Sequence, residues 1–348
     1  MQRARLADVA QAASVATNTA SMILNERPNC WASEATRKRV REAARRLGYR
    51  PNRIALAVKR RRFDTIGLLV PDLNNPFFMS IADQLESAAE ARGCDLIIEH
   101  SRVDLLREIK CLESIMDRQV DGIIACLIDA PVHAERLRSQ LKYGIPMVVA
   151  GQRGLEPLPV DLITVDFVGG LKQALSHLRR KGHSRVGFIR ALAENQADNG
   201  RQEIFLNVAR SLGFAEKDLR VEPSDHSMTG SKEAFERLIG NRQGGMLTAV
   251  IGLNDLCALG ALRGAHELGL QVPRDLSIIG VDDIALCRFL NPSLTSIAQP
   301  VRQIGQCAVD MLFDRIDGKT KEGPREKMLS SKLVVRESTG PAPRETLT

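Results

Sequence analysis

From Thr65 to Asp283 short apolar runs with strand character alternate with longer amphipathic stretches. TIGLLVPD leads into MSIADQLESAAEARG, CDLIIEH into DLLREIKCLESIMDRQ, DGIIACLI into AERLRSQLKYG, and IPMVVAG into a loop. After Ile163 the series restarts with DFVGGLKQALSHLRRKG and RVGFIRA, and it runs on to DLCALGALRGAHELG and LSIIGVDD. Strand–helix alternation of this kind builds parallel sheets covered by helices on both faces. Two series predict two doubly wound α/β subdomains, with a ligand-sized cleft where strand ends and helix starts face each other. At 348 residues the chain is also too long for one ordinary core.

The charge is unevenly placed. Residues 1–62 hold 15 Lys and Arg against 4 Asp and Glu, a surplus of +11, whereas the whole chain carries +7. The body is therefore mildly acidic, and the first sixth alone calls for a polyanionic partner. A basic tail would lack an apolar face; this segment has one. Leu6, Val9, Ala10 and Ala13 recur at helical spacing. A second short helix starting at Ala16 or Thr17 turns Ala20, Ile23 and Leu24 inward and leaves Thr17, Asn18, Ser21 and Met22 outward. A third helix starts after Ser33, an N-cap, buries Val40, Ala43, Ala44 and Leu47, and stops at Gly48. Arg37, Lys38, Arg39, Arg41, Arg45 and Arg46 make it the most basic helix. Two short helices, a tight turn and an outward polar face describe a helix-turn-helix. Composition alone leaves a three-helix protein-binding bundle open; charge and pattern together favour DNA.

DVAQAASVATNTASMILN followed by TRKRVREAARRLGYRPN resembles the headpiece of the lactose-repressor/galactose-repressor (LacI/GalR) family of bacterial transcription factors. The resemblance implies that Thr17 and Asn18 meet base edges in the major groove, while Thr19, Ser21 and Asn25 position the helix against phosphates. Met22, Tyr49 and Asn52 complete the implied DNA-binding set. Four departures stand out. Ser14 replaces a turn glycine, at a cost if the backbone there is left-handed. Ala16 replaces a capping serine, a role Thr17 could partly assume. Ala20 replaces a core valine, and Met22 an arginine, which removes a bidentate donor to guanine.

RIALAVKRRR follows, and residues 51–62 resemble the family's hinge helix, too short to be stable alone in water. By that likeness it orders when two copies meet over the operator centre, with Leu56 or Val58 prying open a base step in the minor groove. The domain reading is thus a headpiece over 1–50, a hinge over 51–62 and a core over 63–348. The likeness extends through VPDLNNPFF, HLRRKGHSRVGFI, LND with ALGAL, VPRDLSIIGVDD, NPSLTSIAQP and LVVREST. It implies a periplasmic-binding-protein-like core with crossings near 163–166, 295–300 and 323–328. The first subdomain is then about 63–163 plus 298–323, and the second about 164–297 plus 326–340. Carried onto the cleft are Asp72, Phe77 and Phe78 from the first lobe and Arg201, Asn254 and Asp282 from the second. Carboxylate and amide acceptors, a guanidinium fork and a phenyl face suit a sugar-like effector. Where many relatives place an aromatic in the cleft, Asp225 and His226 stand here, which points to a more hydrophilic ligand.

No G-x-G-x-x-G, P-loop or H-E-x-x-H occurs, and GHSRVG is one residue too long for a hydrolase elbow, so His183 reads as structural. No enzyme activity, cofactor or metal is expected. Seven scattered cysteines without C-x-x-C, no secretory leader and no apolar run near 20 residues predict reduced thiols in a cytoplasm and no membrane contact. The expected protein is a homodimeric transcriptional regulator, a repressor, bound to double-stranded operator DNA and controlled by a sugar or sugar derivative. The alternatives are an activator, or a sugar-binding protein of the same core fold in transport or sensing.

Overall fold

The computed structural model describes residues 4–26, 29–50, 62–127, 135, 142, 144–151, 160–191, 200–241, 245–320 and 323–343. The chain divides into two compact units, Met1–Phe63 and Asp64–Thr348. The hinge segment with Asn52, Leu56 and Val58 lies outside the described residues.

The first unit holds α1 (Leu6–Ala12), α2 (Thr17–Leu24) and α3 (Glu34–Arg46). Val9, Ala10, Ala13, Ala20, Ile23, Cys30, Val40, Ala43 and Ala44 form its buried core. Small residues dominate because three short helices must approach closely. The α1–α2 turn is closed by Ser14 N–H donating to the Gln11 carbonyl and Val15 N–H to the Ala10 carbonyl, with Ser14 left-handed at φ 53°. Ser33 caps α3, its hydroxyl accepting from Thr36 N–H, and Gly48 ends it at φ 61° in the same motif, as predicted. Leu47 departs from expectation. It is 37% exposed, since the C-cap turn rotates it away from the Val40–Ala44 face.

Among the described residues the second unit contains two six-stranded sheets. The first is ordered β11-β5-β4-β3-β1-β2, from β1 (Thr65–Val70), β2 (Asp95–His100), β3 (Gly122–Cys126), β4 (Met147–Ala150), β5 (Asp161–Asp166) and β11 (Glu326–Ser330). Every pairing in it is parallel. The second is ordered β12-β10-β9-β8-β6-β7, from β6 (Val186–Ala191), β7 (Leu219–Ser224), β8 (Ala249–Gly252), β9 (Ser277–Asp282), β10 (Thr295–Ala298) and β12 (Lys332–Val334). Only β12 runs antiparallel there, against β10. Central strands such as β3 and β8 are buried along their whole length, as parallel strands covered on both faces must be. The covering helices are α4 (Pro76–Glu90), α5 (Leu105–Asp117), α6 (Phe167–Arg180), α7 (Arg201–Ser211), α8 (Met228–Gly240), α9 (Asp255–Glu267) and α10 (Val301–Ile316).

Three crossings join the lobes: β5 to α6 at Asp166, β10 to α10 between Ala298 and Val301, and β11 to β12 at Ser331. They meet at Gly170, where a Cβ would lie 2.4 Å from Ser331 Oγ and 2.5 Å from Ile297 Cγ2. The Ser331 hydroxyl also donates to the Asp166 carbonyl at 2.7 Å. Two sequence boundaries need correction. All of β5 to Asp166 and residues 326–330 belong to the first lobe, so the third crossing falls a few residues beyond 323–328. The cause is Asp161. Arg315 and Arg325 both bond its buried carboxylate, each at 2.7 Å, which fastens the end of α10 and the start of β11 to the first sheet. Burial alone would raise that carboxyl's pKa, but the two guanidinium partners outweigh it and hold it below the ordinary range.

Candidate functional site: a DNA-reading headpiece and a ligand cleft

In the headpiece α2 exposes Thr17 and Asn18 at its first turn, with Thr19 and Ser21 half-exposed beside them. Ala16 stands at the N-cap without a side-chain cap bond, so the serine's role is vacant and Thr17 is simply the first helical residue. Asn25 closes the helix, its amide donating to the Ser21 carbonyl at 2.7 Å. Met22 departs from the outward placement predicted for it. It is half-buried against the headpiece core, because an unbranched thioether gains more there than in water. Tyr49 likewise packs partly against that core, leaving only part of its ring for a partner.

In the body a cavity of about 400 Å³ opens between the lobes, within the ordinary range for a small-ligand pocket. All six carried-over residues line it: Asp72, Phe77, Phe78, Arg201, Asn254 and Asp282. Asn75 caps α4 and so sets Phe77 and Phe78, whose rings meet edge to face with centroids 5.2 Å apart. Asp72 accepts from Asn74 N–H at 2.9 Å, a local turn that leaves its other oxygen toward the cavity. Asn254 caps α9 through its amide oxygen, which accepts from Cys257 N–H at 2.8 Å, so its NH₂ is the group left for a ligand. Helix cap and ligand contact are therefore compatible in one side chain.

Arg201 opens α7 and lies over the Phe167 ring at 4.5 Å. Burial lowers its pKa and nearby Asp282 opposes that; a guanidinium remains charged regardless. Asp282 ends β9 in a left-handed conformation, φ 112°, followed by Asp283 at φ 56°. Burial, then the proximity of Asp255, raises the Asp282 pKa, against a 2.6 Å hydrogen bond from Gln299. Asp255 holds this turn from behind. Its oxygens accept from Ile284 N–H, the Cys287 thiol and the Ser296 hydroxyl at 2.8, 3.1 and 2.6 Å. Gly280 makes room for that carboxylate, since a Cβ there would lie 2.1 Å from it.

Of the two residues standing where many relatives have an aromatic, one lines the cavity. Asp225 turns away to accept from Ser227 N–H and Oγ at 3.0 and 2.6 Å, and His226 enters the cavity instead. His226 is left-handed at φ 68°, and its buried Nε2 has no hydrogen-bond partner among the described residues. Burial, then Arg201, pushes its pKa down to about 4, against the pull of Asp225 and Asp72. Phe167 and Gln299 also line the cavity and were not anticipated. Both sit at crossings, where the strand and helix patterns that guide sequence reading break off. His183 is structural: buried, with its ring nitrogens within 3.1 Å of Thr248 Oγ1, the Gly340 carbonyl and Ser277 Oγ.

Residues 5–52 match the model of bacterial regulatory proteins of the lacI family. With 32% identity to the transcriptional repressor CytR over 98% of its length as well, the chain belongs to that family. Residues 175–339 of this lacI-family chain match the periplasmic binding protein-like domain. It is 32% identical over 340 residues to the HTH-type transcriptional repressor CytR of Escherichia coli, covering 98% of this chain and 97% of that protein. It is 30% identical over 334 residues to catabolite control protein A of Priestia megaterium, covering 95% and 98%. A lacI-family transcriptional regulator from Enterococcus faecium with bound ribose superposes with a TM-score of 0.68 at 32% identity, over 80% of this chain and 99% of that one. Members of the family are DNA-binding transcriptional regulators, and so is this chain. Among the described residues no helix is long and apolar enough to cross a membrane.

Proposed function

We propose that the chain is a cytoplasmic repressor, acting as a homodimer without catalysing a reaction, whose operator affinity is set by a small sugar or sugar derivative in the cleft. One observation carries the reading. A cationic headpiece that exposes Thr17 and Asn18 shares a chain with a cavity combining phenyl faces with Arg201, Asn254, Asp282 and His226. Thr17, Asn18, Thr19, Ser21 and Asn25 read and grip the operator, with the hinge residues Asn52, Leu56 and Val58 at its centre. Two copies double a short interface and read an inverted repeat. In the cleft Arg201 donates to ring hydroxyls, Asp282 and Asp72 accept, and Phe77 or Phe78 covers an apolar sugar face. Ribose in the Enterococcus faecium relative supports this class of ligand.

The test is selection of bound genomic fragments by the full chain at low ionic strength, followed by a salt titration and a sugar panel. Enrichment of an inverted repeat, affinity falling steeply with salt and release by one class of sugar are the expected results. No enrichment at any salt refutes the proposal.

A further inference from the structure

The only tryptophan in the chain, Trp31, is 99% exposed, yet the backbone on both sides of it is anchored. Cys30 is buried in the headpiece core and Ala32 packs partly against it. Arg37, in the first turn of α3, reaches back to both neighbours. Its Nη2 donates to the Cys30 carbonyl at 2.8 Å and its Nε to the Ala32 carbonyl at 3.2 Å. One planar guanidinium thus holds the carbonyls that flank Trp31, and Ser33 fixes the start of α3 immediately beyond. The indole is displayed on a pinned loop, leaving the largest apolar side chain of the headpiece in water.

An exposed indole invites a partner, and its surroundings say which. A protein partner would find an apolar patch around the ring, but the only other large apolar side chain of the headpiece that is more than a third exposed, among the described residues, is Leu47. The helix tied to the loop through Arg37 is cationic: α3 carries six basic residues. A flat, amphipathic ring in a cationic field matches nucleic acid, which offers sugar edges, base faces and phosphate acceptors. The loop follows the C-terminal end of α2, an eight-residue helix about 12 Å long. Trp31 lies in the loop beyond the C-terminal end of the recognition helix, whereas the base-reading residues Thr17 and Asn18 lie in its first turn.

We propose that Trp31 is a DNA contact of this protein, its ring packing on the sugar–phosphate backbone at the flank of each half-site and its Nε1–H donating to a phosphate oxygen. The assignment rests on the DNA-binding reading above and adds a contact that carries no charge. Because the chain has one tryptophan, its intrinsic emission reports this side chain alone.

The experiment titrates the full chain with a duplex recovered by genomic selection, following indole emission and acrylamide quenching beside the anisotropy of the labelled duplex. At saturation the emission shifts or is quenched, and acrylamide access falls several-fold. Trp31→Ala binds about tenfold more weakly, Trp31→Phe recovers part of the loss, and both keep the salt slope of the parent because no cation is removed. Far-UV circular dichroism and melting establish that the variants are folded. Emission and quenching that stay fixed while anisotropy saturates overturn the proposal, as does folded Trp31→Ala binding within twofold of the parent. Emission that moves with protein concentration alone assigns the ring to a second copy and equally overturns it. Failure of the parent protein to bind any duplex is a separate result, and it removes the DNA-binding reading itself.

Discussion

Ser14→Gly should stabilise the headpiece. Ser14 occupies the C′ position of α1 at φ 53°, where a Cβ crowds the following carbonyl at a cost of roughly 1–2 kcal/mol. Glycine removes that crowding but loses more conformational freedom on folding, about 0.5–1 kcal/mol. The difference is a net gain of about 0.5–1 kcal/mol, since the exposed hydroxyl has no packing to lose. Native-state hydrogen exchange on the full chain resolves so small an effect. Amides of α1 and α2 that exchange through headpiece unfolding should slow by about two- to fivefold, following the tenfold per 1.4 kcal/mol of any equilibrium. Ser14→Ala, which keeps the Cβ, should leave them within about twofold. Amides of the two sheets should be unaffected, because the turn belongs to the other compact unit. Equal protection in Ser14→Gly and Ser14→Ala would show that the left-handed turn carries no cost, and the argument from its dihedral would fail.

Ala16→Ser should add about 1 kcal/mol to the headpiece by supplying the acceptor that the start of α2 lacks, read by the same exchange measurement. His226 should make the body acid-sensitive. Its folded pKa of about 4 lies below the ordinary 6.5, so as pH falls from about 6.5 to about 4 the unfolded chain takes up the proton first and stability is lost. At 1.36 kcal/mol per unit the loss is up to about 3 kcal/mol. Denaturant unfolding at pH 7 and pH 4.5 should show a shallower decline in His226→Asn. Some decline should remain, because burial also lowers the pKa values of His177 and His183. Identical decline in the variant would refute the assignment. Arg201→Ala should weaken sugar binding about tenfold to a hundredfold, as expected for a lost hydrogen bond from a charged donor, while operator affinity stays as in the parent. Joint loss of both would mark a damaged fold and count against a role confined to the cleft.

The alternation of apolar runs and amphipathic stretches reads the central strands of both sheets, because buried parallel strands leave an unmistakable pattern in TIGLLV or SIIGV. Cap chemistry read the headpiece nearly as well, with Ser33 and Gly48 where helix physics places them. Elsewhere the physics is not local. Glu326–Ser330 reads as polar linker, since most of its side chains are exposed; it becomes a strand because Asp161 draws Arg325 against β5. By the family likeness Asp225 and His226 both stand where relatives place an aromatic. The choice is made by an Asx turn that engages Asp225 with Ser227 and leaves the imidazole to enter the cavity. Met22 looks like an outward residue by helical phase, and its flexible thioether folds back on the core all the same.

Behind Asp282 the second lobe's side of the cleft is held by a chain of bonds. Asn254 opens α9, and Asp255 beside it accepts from Ile284 N–H, the Cys287 thiol and the Ser296 hydroxyl. The Ser296 hydroxyl in turn accepts from Asp283 N–H at 3.1 Å, and Arg336 pairs with Asp283 at 2.6 Å. Ser296 lies on β10, the strand that runs through Gln299 into the second crossing, and Gln299 donates to Asp282. A ligand that bonds Asp282 therefore pulls on the segment that joins the lobes. The reverse also holds, because any rearrangement of that crossing moves Gln299 and with it the ligand's acceptor. Coupling built into shared bonds must be reciprocal. Its size is bounded by the difference in the ligand's affinity for the two arrangements of the lobes, not by the tightness of binding in either. A sugar held only by the second lobe acts through the Asp282–Gln299 bond alone; one that also engages Asp72, Phe77 or Phe78 across the cavity adds a direct preference for one arrangement of the lobes.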